Sequence, residues 1–257
     1  MTDFTMLNAK DFNFAPFAID VGGDSGSLEL AALKSDKTVQ YIVKSGYSEI
    51  ACNEFIYHHV AAAFGLHTLE ARLFAGIPGK QRAVGIRFVP NIKEFRYDEA
   101  SDEDRRSFYK FKMLYVILNE EDSEEYFYDE LNRFLKLDNA ASFNMDEVKV
   151  NSALMFGNKL PQMAIQLFER SIEFLEYDKY RIQLEILNSH FGETAAKTAF
   201  EFIKEFSDLD VSKIYPACEF LKNVYPVDIA NYYPIFIERR IAACKQFLSE
   251  NDISQFT

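Results

Sequence analysis

The sequence predicts an α+β chain in two lobes, a small β-rich one followed by a larger, mostly helical one. Three observations carry this. Short apolar runs with a period of two fill the first ninety-odd residues, and a single helical pattern interrupts them. From Asp102 onward the apolar period becomes that of helices. One hairpin breaks that helical half.

In chain order, "APFAID" and "SLELAALKSD" read as strands separated by the turn "VGGDSG". "TVQYIVK" follows, with Val39, Tyr41 and Val43 alternating with Gln40, Ile42 and Lys44. Ser48 opens a helix with Glu49 in its first turn. Ile56, Val60, Ala63 and Phe64 share one helical face, and Gly65 is the expected C-cap. "TLEARLFAGI" and "RAVGIRFVP" are two further strands joined by "PGK", with Pro90 ending the second. The segment 92–105 is the expected boundary, giving a first lobe over 1–92 and a second over 93–257. In the second, "DEDRRSFYKFKMLYVIL" is helical, and a hairpin is expected over about 123–138 around the polar turn "DELN". Helices are then expected over roughly 146–157, 161–176, 178–191, 193–207, 211–222 and 232–249.

Composition narrows the function classes. Among 257 residues there are 28 Lys and Arg against 40 Asp and Glu, a net charge of −12. Such a chain is a poor unaided partner for nucleic acid or an anionic membrane, so neither is expected. A polyanion such as ATP would need local cations or a metal. Cys52, Cys218 and Cys244 are scattered and odd in number, which suits a reducing cytoplasm better than a disulfide framework. His58, His59, His67 and His190 form no zinc spacing, and adjacent His58 and His59 are expected to pack or lie exposed rather than ligate. No apolar run approaches the ~18 residues of a spanning helix. The start "MTDFTMLNAKDFNF" lacks the basic-then-apolar order of a secretory signal. Phe168, Phe174, Phe200, Phe202 and Phe206 are expected to build the helical core. Oligomeric state is not legible.

Phosphoryl transfer from ATP needs a cation on the phosphates, carboxylates on magnesium, and a group that orients the attacking hydroxyl. A strand lysine braced by a glutamate on the next helix is one recurring source of the cation. Lys44 ends a strand and Glu54 lies on the first turns of the helix that follows. Gly22, Gly23 and Gly26 sit in a turn between two strands, where backbone could approach phosphates; a plain hairpin turn has the same composition. "RFLKLDNAASF" raises a similar choice, since Asp138 is either an ordinary strand exit or a metal ligand.

With these residues in view, "YIVKSGYSEIACNEFIYHHVAAAFGLHTLEARLF" resembles the N-lobe of HipA-like kinases. "VGIRFVPNIKEF" resembles the family's strand leading to the hinge, and "FLKLDNAASF" its metal-binding segment. The resemblance covers roughly residues 15–145 and is nearest to the shorter HipA-like domains. It implies a two-lobed, protein-kinase-like fold with ATP and magnesium between the lobes. Position by position it implies Lys44 on the phosphates, Glu54 paired with it, Phe88 and Val89 near the adenine, and Asp138 on magnesium. Asp122 would be the catalytic aspartate, with Glu121 as its rival. The family usually carries an asparagine five residues later; Phe127 stands there, and Glu124 or Glu125 is the substitute metal ligand.

The implied activity is phosphoryl transfer to a protein Ser or Thr hydroxyl. A catalytically inactive descendant that binds a protein partner, with or without nucleotide, is the alternative. An unrelated helical binding module with a β-rich cap is the third.

Overall fold

The computed structural model describes residues 4–17, 28–44, 48–77, 83–120, 125–137, 142–143, 178–223 and 227–257. The chain divides into two compact units. The first comprises Met1–Phe95, Asp122–Ala140 and Pro216–Ala230, and the second Arg96–Glu121, Ala141–Tyr215 and Asn231–Thr257.

The first unit is built on a six-stranded sheet in the order β1-β5-β6-β4-β3-β2. Its strands are β1 (Leu7–Asn8), β2 (Phe12–Pro16), β3 (Glu29–Leu33), β4 (Gln40–Lys44), β5 (Ala71–Ala75) and β6 (Ala83–Arg87). All pairs are antiparallel except β1 with β5. Pro16 is tolerated because β2 is an edge strand. The two-residue β1 has no counterpart in the sequence reading, because so short an element has no period to detect.

Side-chain contacts reveal the shape of this sheet. The rings of Phe12 on β2 and Phe74 on β5 lie 5.0 Å apart, although three strands separate β2 from β5. In a flat sheet strands four positions apart are roughly 19 Å distant. The sheet therefore curls, and Phe12, Tyr41 and Phe74 meet edge to face inside the curl. Ala31, Val43 and Ala83 complete this core. Gly85 on β6 makes room for it, since a Cβ there would run into the Phe74 ring and approach Tyr41 Cβ to 3.1 Å.

Helix α1 (Ser48–Ala63) packs on β5 and β6. Gly65 follows it with φ +68°, the left-handed C-cap expected. The sequence places one face of α1 against the sheet, yet Cys52 to Tyr57 are six consecutive buried residues. A helix buried nearly all round shows no narrow apolar stripe, which is why periodicity underestimates it. Part of the cover comes from α5 (Tyr215–Leu221), whose Phe220 packs on Phe55 and on Phe4. Also in this unit is a three-stranded sheet of β7 (Lys93–Glu94), β8 (Glu125–Tyr128) and β9 (Phe134–Leu137). The β8–β9 turn is organised by the buried Asp129, which accepts from the backbone N–H groups of Leu131 and Arg133 and from the Arg133 guanidinium. His67 approaches the same carboxylate at 3.2 Å. Burial works against the Asp129 charge, and these donors outweigh it, holding the carboxyl below its ordinary value.

The second unit is helical among its described residues. It contains α2 (Asp102–Ile117), α3 (178–191), α4 (Glu193–Ser207) and most of α6 (Val227–Glu250). Ser101 caps α2 by accepting from the Asp104 N–H. α2 packs on α4, where Lys110 pairs with Glu205 at 2.7 Å beside the buried Phe202. The 178–191 and 193–207 helices stand where the sequence places them. The helix expected at 211–222 is split into a 3-10 turn, Val211–Lys213, and α5. The last helix begins five residues before the expected 232, with Pro234 inside it. Helices expected at 146–157 and 161–176, with Phe168 and Phe174, lie outside the described residues. No helix among the described residues is long and apolar enough to cross a membrane.

Two outcomes test this packing. Gly85→Ala adds one methyl to a filled curl and costs about 1–3 kcal/mol by overpacking. Urea denaturation reads it, and a wild-type midpoint would show that the Phe74 ring yields. The second concerns His59, which burial first, and then His58 and Arg72, push down from 6.5 to about 3. Above pH about 6.5 the imidazole is neutral folded and unfolded. Below it the unfolded chain takes up a proton that the folded chain refuses, so acid destabilises. His58 and His67 are lowered too, and act in the same direction. Replacing the ring by His59→Phe should flatten the loss of stability between pH 6 and 5 by about 1 kcal/mol per pH unit. An unchanged slope would sink the assignment.

Candidate functional site

Strand β4 runs between β3 and β6, with Val43 opposite Glu29 and Lys44 opposite Val84. Tyr41 and Val43 enter the core, so the alternation sends Lys44 to the other face. There the Lys44 Nζ donates to Glu54 Oε1 at 2.7 Å, with side-chain exposures of 13% and 4%. Neither side chain is in bulk water, so the pair is held by the burial of α1 as much as by its own attraction. The sequence order strand–Lys–helix–Glu thus becomes a contact.

One helical turn beyond Glu54 is Tyr57, fully buried. The Nζ of Lys136 lies 5.5 Å from the centre of its ring. Lys136 is itself fully buried on β9, two residues before Asp138, and β9 bridges to Thr68 just after α1. The strand that leads to Asp138 is therefore packed close to the helix that carries Glu54. Sequence reading missed Lys136. Its signal was a lysine in the middle of the strand "RFLKL", where Phe134, Leu135 and Lys136 are all buried.

The other expected site residues are distributed as follows. Gly22, Gly23, Gly26, Glu121, Asp122, Glu124 and Asp138 lie outside the described residues. Glu125 is exposed at the start of β8, opposite Leu137, the residue before Asp138. Phe127, at the position where the family usually has asparagine, is in the middle of β8, paired with Leu135 and Glu94. Phe88 and Val89 directly follow β6. The Phe88 N–H donates to Gln40 C=O at 2.9 Å, extending the ladder, and its ring packs edge-on to Phe17. That N–H is committed to the sheet. No cluster of three or more metal-binding side chains occurs among the described residues.

The lysine at the end of a strand is thus bonded to a glutamate on the helix that follows, as the order in the sequence led one to expect. Comparison with solved structures shows that the fold is kinase-like, the α+β class expected from the sequence. One match is to the crystal structure of a Helicobacter pylori proinflammatory kinase, CtkA, with a TM-score of 0.63 over 96% of this chain and 100% of that one. The two are 13% identical, so the likeness shows the fold alone. No family model matches the sequence, and no curated protein matches it.

The Lys44–Glu54 contact is open to a double-mutant cycle. Lys44→Met, Glu54→Gln and the double variant should give a coupling of about 1–2 kcal/mol in urea denaturation, since breaking one side leaves a poorly solvated charge. Additive effects would mean that the two side chains do not depend on each other.

Proposed function

We propose that the protein is a HipA-like, ATP-dependent phosphotransferase that acts with magnesium on a Ser or Thr hydroxyl of a protein. The observation that carries this is the buried Lys44–Glu54 pair in a kinase-like fold. An amine fixed in this way presents a directed donor to phosphate oxygens without a search of side-chain rotamers. In this reading Gly22 and Gly23 lie over the phosphates, and Phe88 and Val89 offer backbone to the adenine. Asp138, with Glu125, holds magnesium, whose hard oxygen preference suits two carboxylates. The metal neutralises charge that develops on the transferred group. Asp122 orients the attacking hydroxyl. Cys52, Cys218 and Cys244 are buried free thiols, in keeping with a cytoplasmic setting.

One observation favours a second reading. Phe127 is in a paired strand rather than a loop, so that position offers no metal ligand. A chain that binds nucleotide, or only a protein partner, without transferring phosphate would tolerate this.

Two measurements separate the readings. Mg-ATP should raise the melting temperature of the wild type, by roughly 2.7 kcal/mol of stabilisation at a hundred times its dissociation constant, and Lys44→Met should remove the effect. Transfer of label from the γ-phosphate, lost in Asp138→Ala, selects the enzyme. Binding without transfer selects the second reading, and transfer that survives both Asp122→Ala and Asp138→Ala overturns the site.

A further inference from the structure

A lysine is seldom fully buried, because its ammonium gives up water and an apolar side chain would pack as well. Lys136, in the middle of β9, is such a lysine. The groups discussed around it all belong to the first unit. Its Nζ lies 5.5 Å from the centre of the Tyr57 ring and donates to Leu137 C=O at 3.3 Å. A cation over an aromatic ring is attracted by the negative face of the ring, and more strongly where both are out of water. Tyr57 is itself fully buried.

Tyr57 stands on the part of α1 that bears on the site. Residues three and four apart on a helix are surface neighbours, so the side chains one turn beyond Glu54 on its own face are Tyr57 and His58. Both are held from the same place. His58 Nδ1 and Thr68 Oγ1 are 2.7 Å apart, and Thr68 is the residue that bridges to Lys136. A third tie lies at the other end of β9, where His67 approaches Asp129 at 3.2 Å. The β8–β9 hairpin is thus tied at three places to α1 and the segment that follows it. Two of the three bear on the face that carries Glu54, and Glu54 accepts from the Lys44 amine at 2.7 Å.

We propose that Lys136 is a positioning residue for the nucleotide-binding lysine. It holds the Tyr57 ring, fixes the rotation of α1 about its axis, and so sets the point at which Glu54 meets Lys44, without touching nucleotide itself. This rests on the phosphotransferase reading above. It also accounts for the charge at this position, since methionine would fill the same space and leave the helix free to turn.

The experiment measures Mg-ATP affinity by calorimetry for the wild type, Lys136→Met, Glu54→Gln and the double variant. Methionine keeps the length of the side chain and removes its charge, so affinity should fall about tenfold. In the Glu54→Gln background the same substitution should change affinity by less than about twofold, because its effect passes through Glu54. In the ligand-free chain, the coupling between Lys44→Met and Glu54→Gln in urea denaturation should fall by about half once Lys136 is methionine. If Lys136→Met does not fold, Tyr57→Leu, which removes the ring, carries the same readouts, with Tyr57→Phe as the control that keeps it. An equal loss of affinity in both backgrounds marks a merely structural role and overturns the proposal. Unchanged affinity, or an unchanged Lys44–Glu54 coupling, overturns it as well. A wild type that does not bind Mg-ATP overturns the phosphotransferase reading and this one with it, and the wild-type arm alone identifies that case.

Discussion

The site in the first unit depends on apolar packing that keeps one ion pair largely out of water. Lys44 and Glu54 lie on elements that are next to each other in the chain, but their contact requires more than proximity. Removing two charges from solvent costs several kcal/mol per ion before their attraction offsets it. The cost is bearable because α1 is already buried by apolar contacts, with Ile56, Val60 and Ala61 fully inaccessible. The sheet covers α1 on one side, and Phe220 and Phe4 cover it on another. The apolar packing thus comes first energetically, and the pair takes its geometry from it.

The curl of the sheet is the second constraint. The intrinsic twist of the strands favours it, and the aromatic side chains that meet inside fill the space it encloses. Phe12, Tyr41 and Phe74 come from three strands and fill one volume, and Gly85 leaves that volume open. With no tryptophan in the chain and 25 phenylalanines, edge-to-face and tilted ring contacts recur in both units. The second unit repeats the theme, with Tyr97, Phe108 and Phe191 in one cluster and Phe143, Tyr233 and Phe236 in another.

What the sequence discloses follows from how local each feature is. The Lys44–Glu54 relation was legible because a strand period, a helix start and a ten-residue spacing are all local. The α+β class and its kinase-like form were legible too, the latter through resemblance. The curl was not, because it depends on which distant strands share a core. Lys136 was hidden because alternation reads a mid-strand lysine as solvent-facing, whereas β9 is buried on both faces. The sequence places the start of α6 five residues late, and Pro234 lies well inside the helix, where proline is uncommon. Phe143, left-handed with φ +70°, carries no sequence signal at all. A glycine would have advertised a left-handed residue, and phenylalanine does not.

The charge balance of the site bears on the order of events in the proposed reaction. Lys44 is already neutralised by Glu54, so together they offer a phosphate a well-aimed N–H donor and almost no net positive charge. The chain as a whole carries a net charge of −12, which repels a triphosphate at long range. An anion with three or four charges approaching such a surface needs its neutralisation from elsewhere. In the proposed reaction magnesium, held by Asp138 and Glu125, would supply it. The acidic character of the chain is therefore no argument against the proposed reaction, provided that a metal shares the charge of the nucleotide.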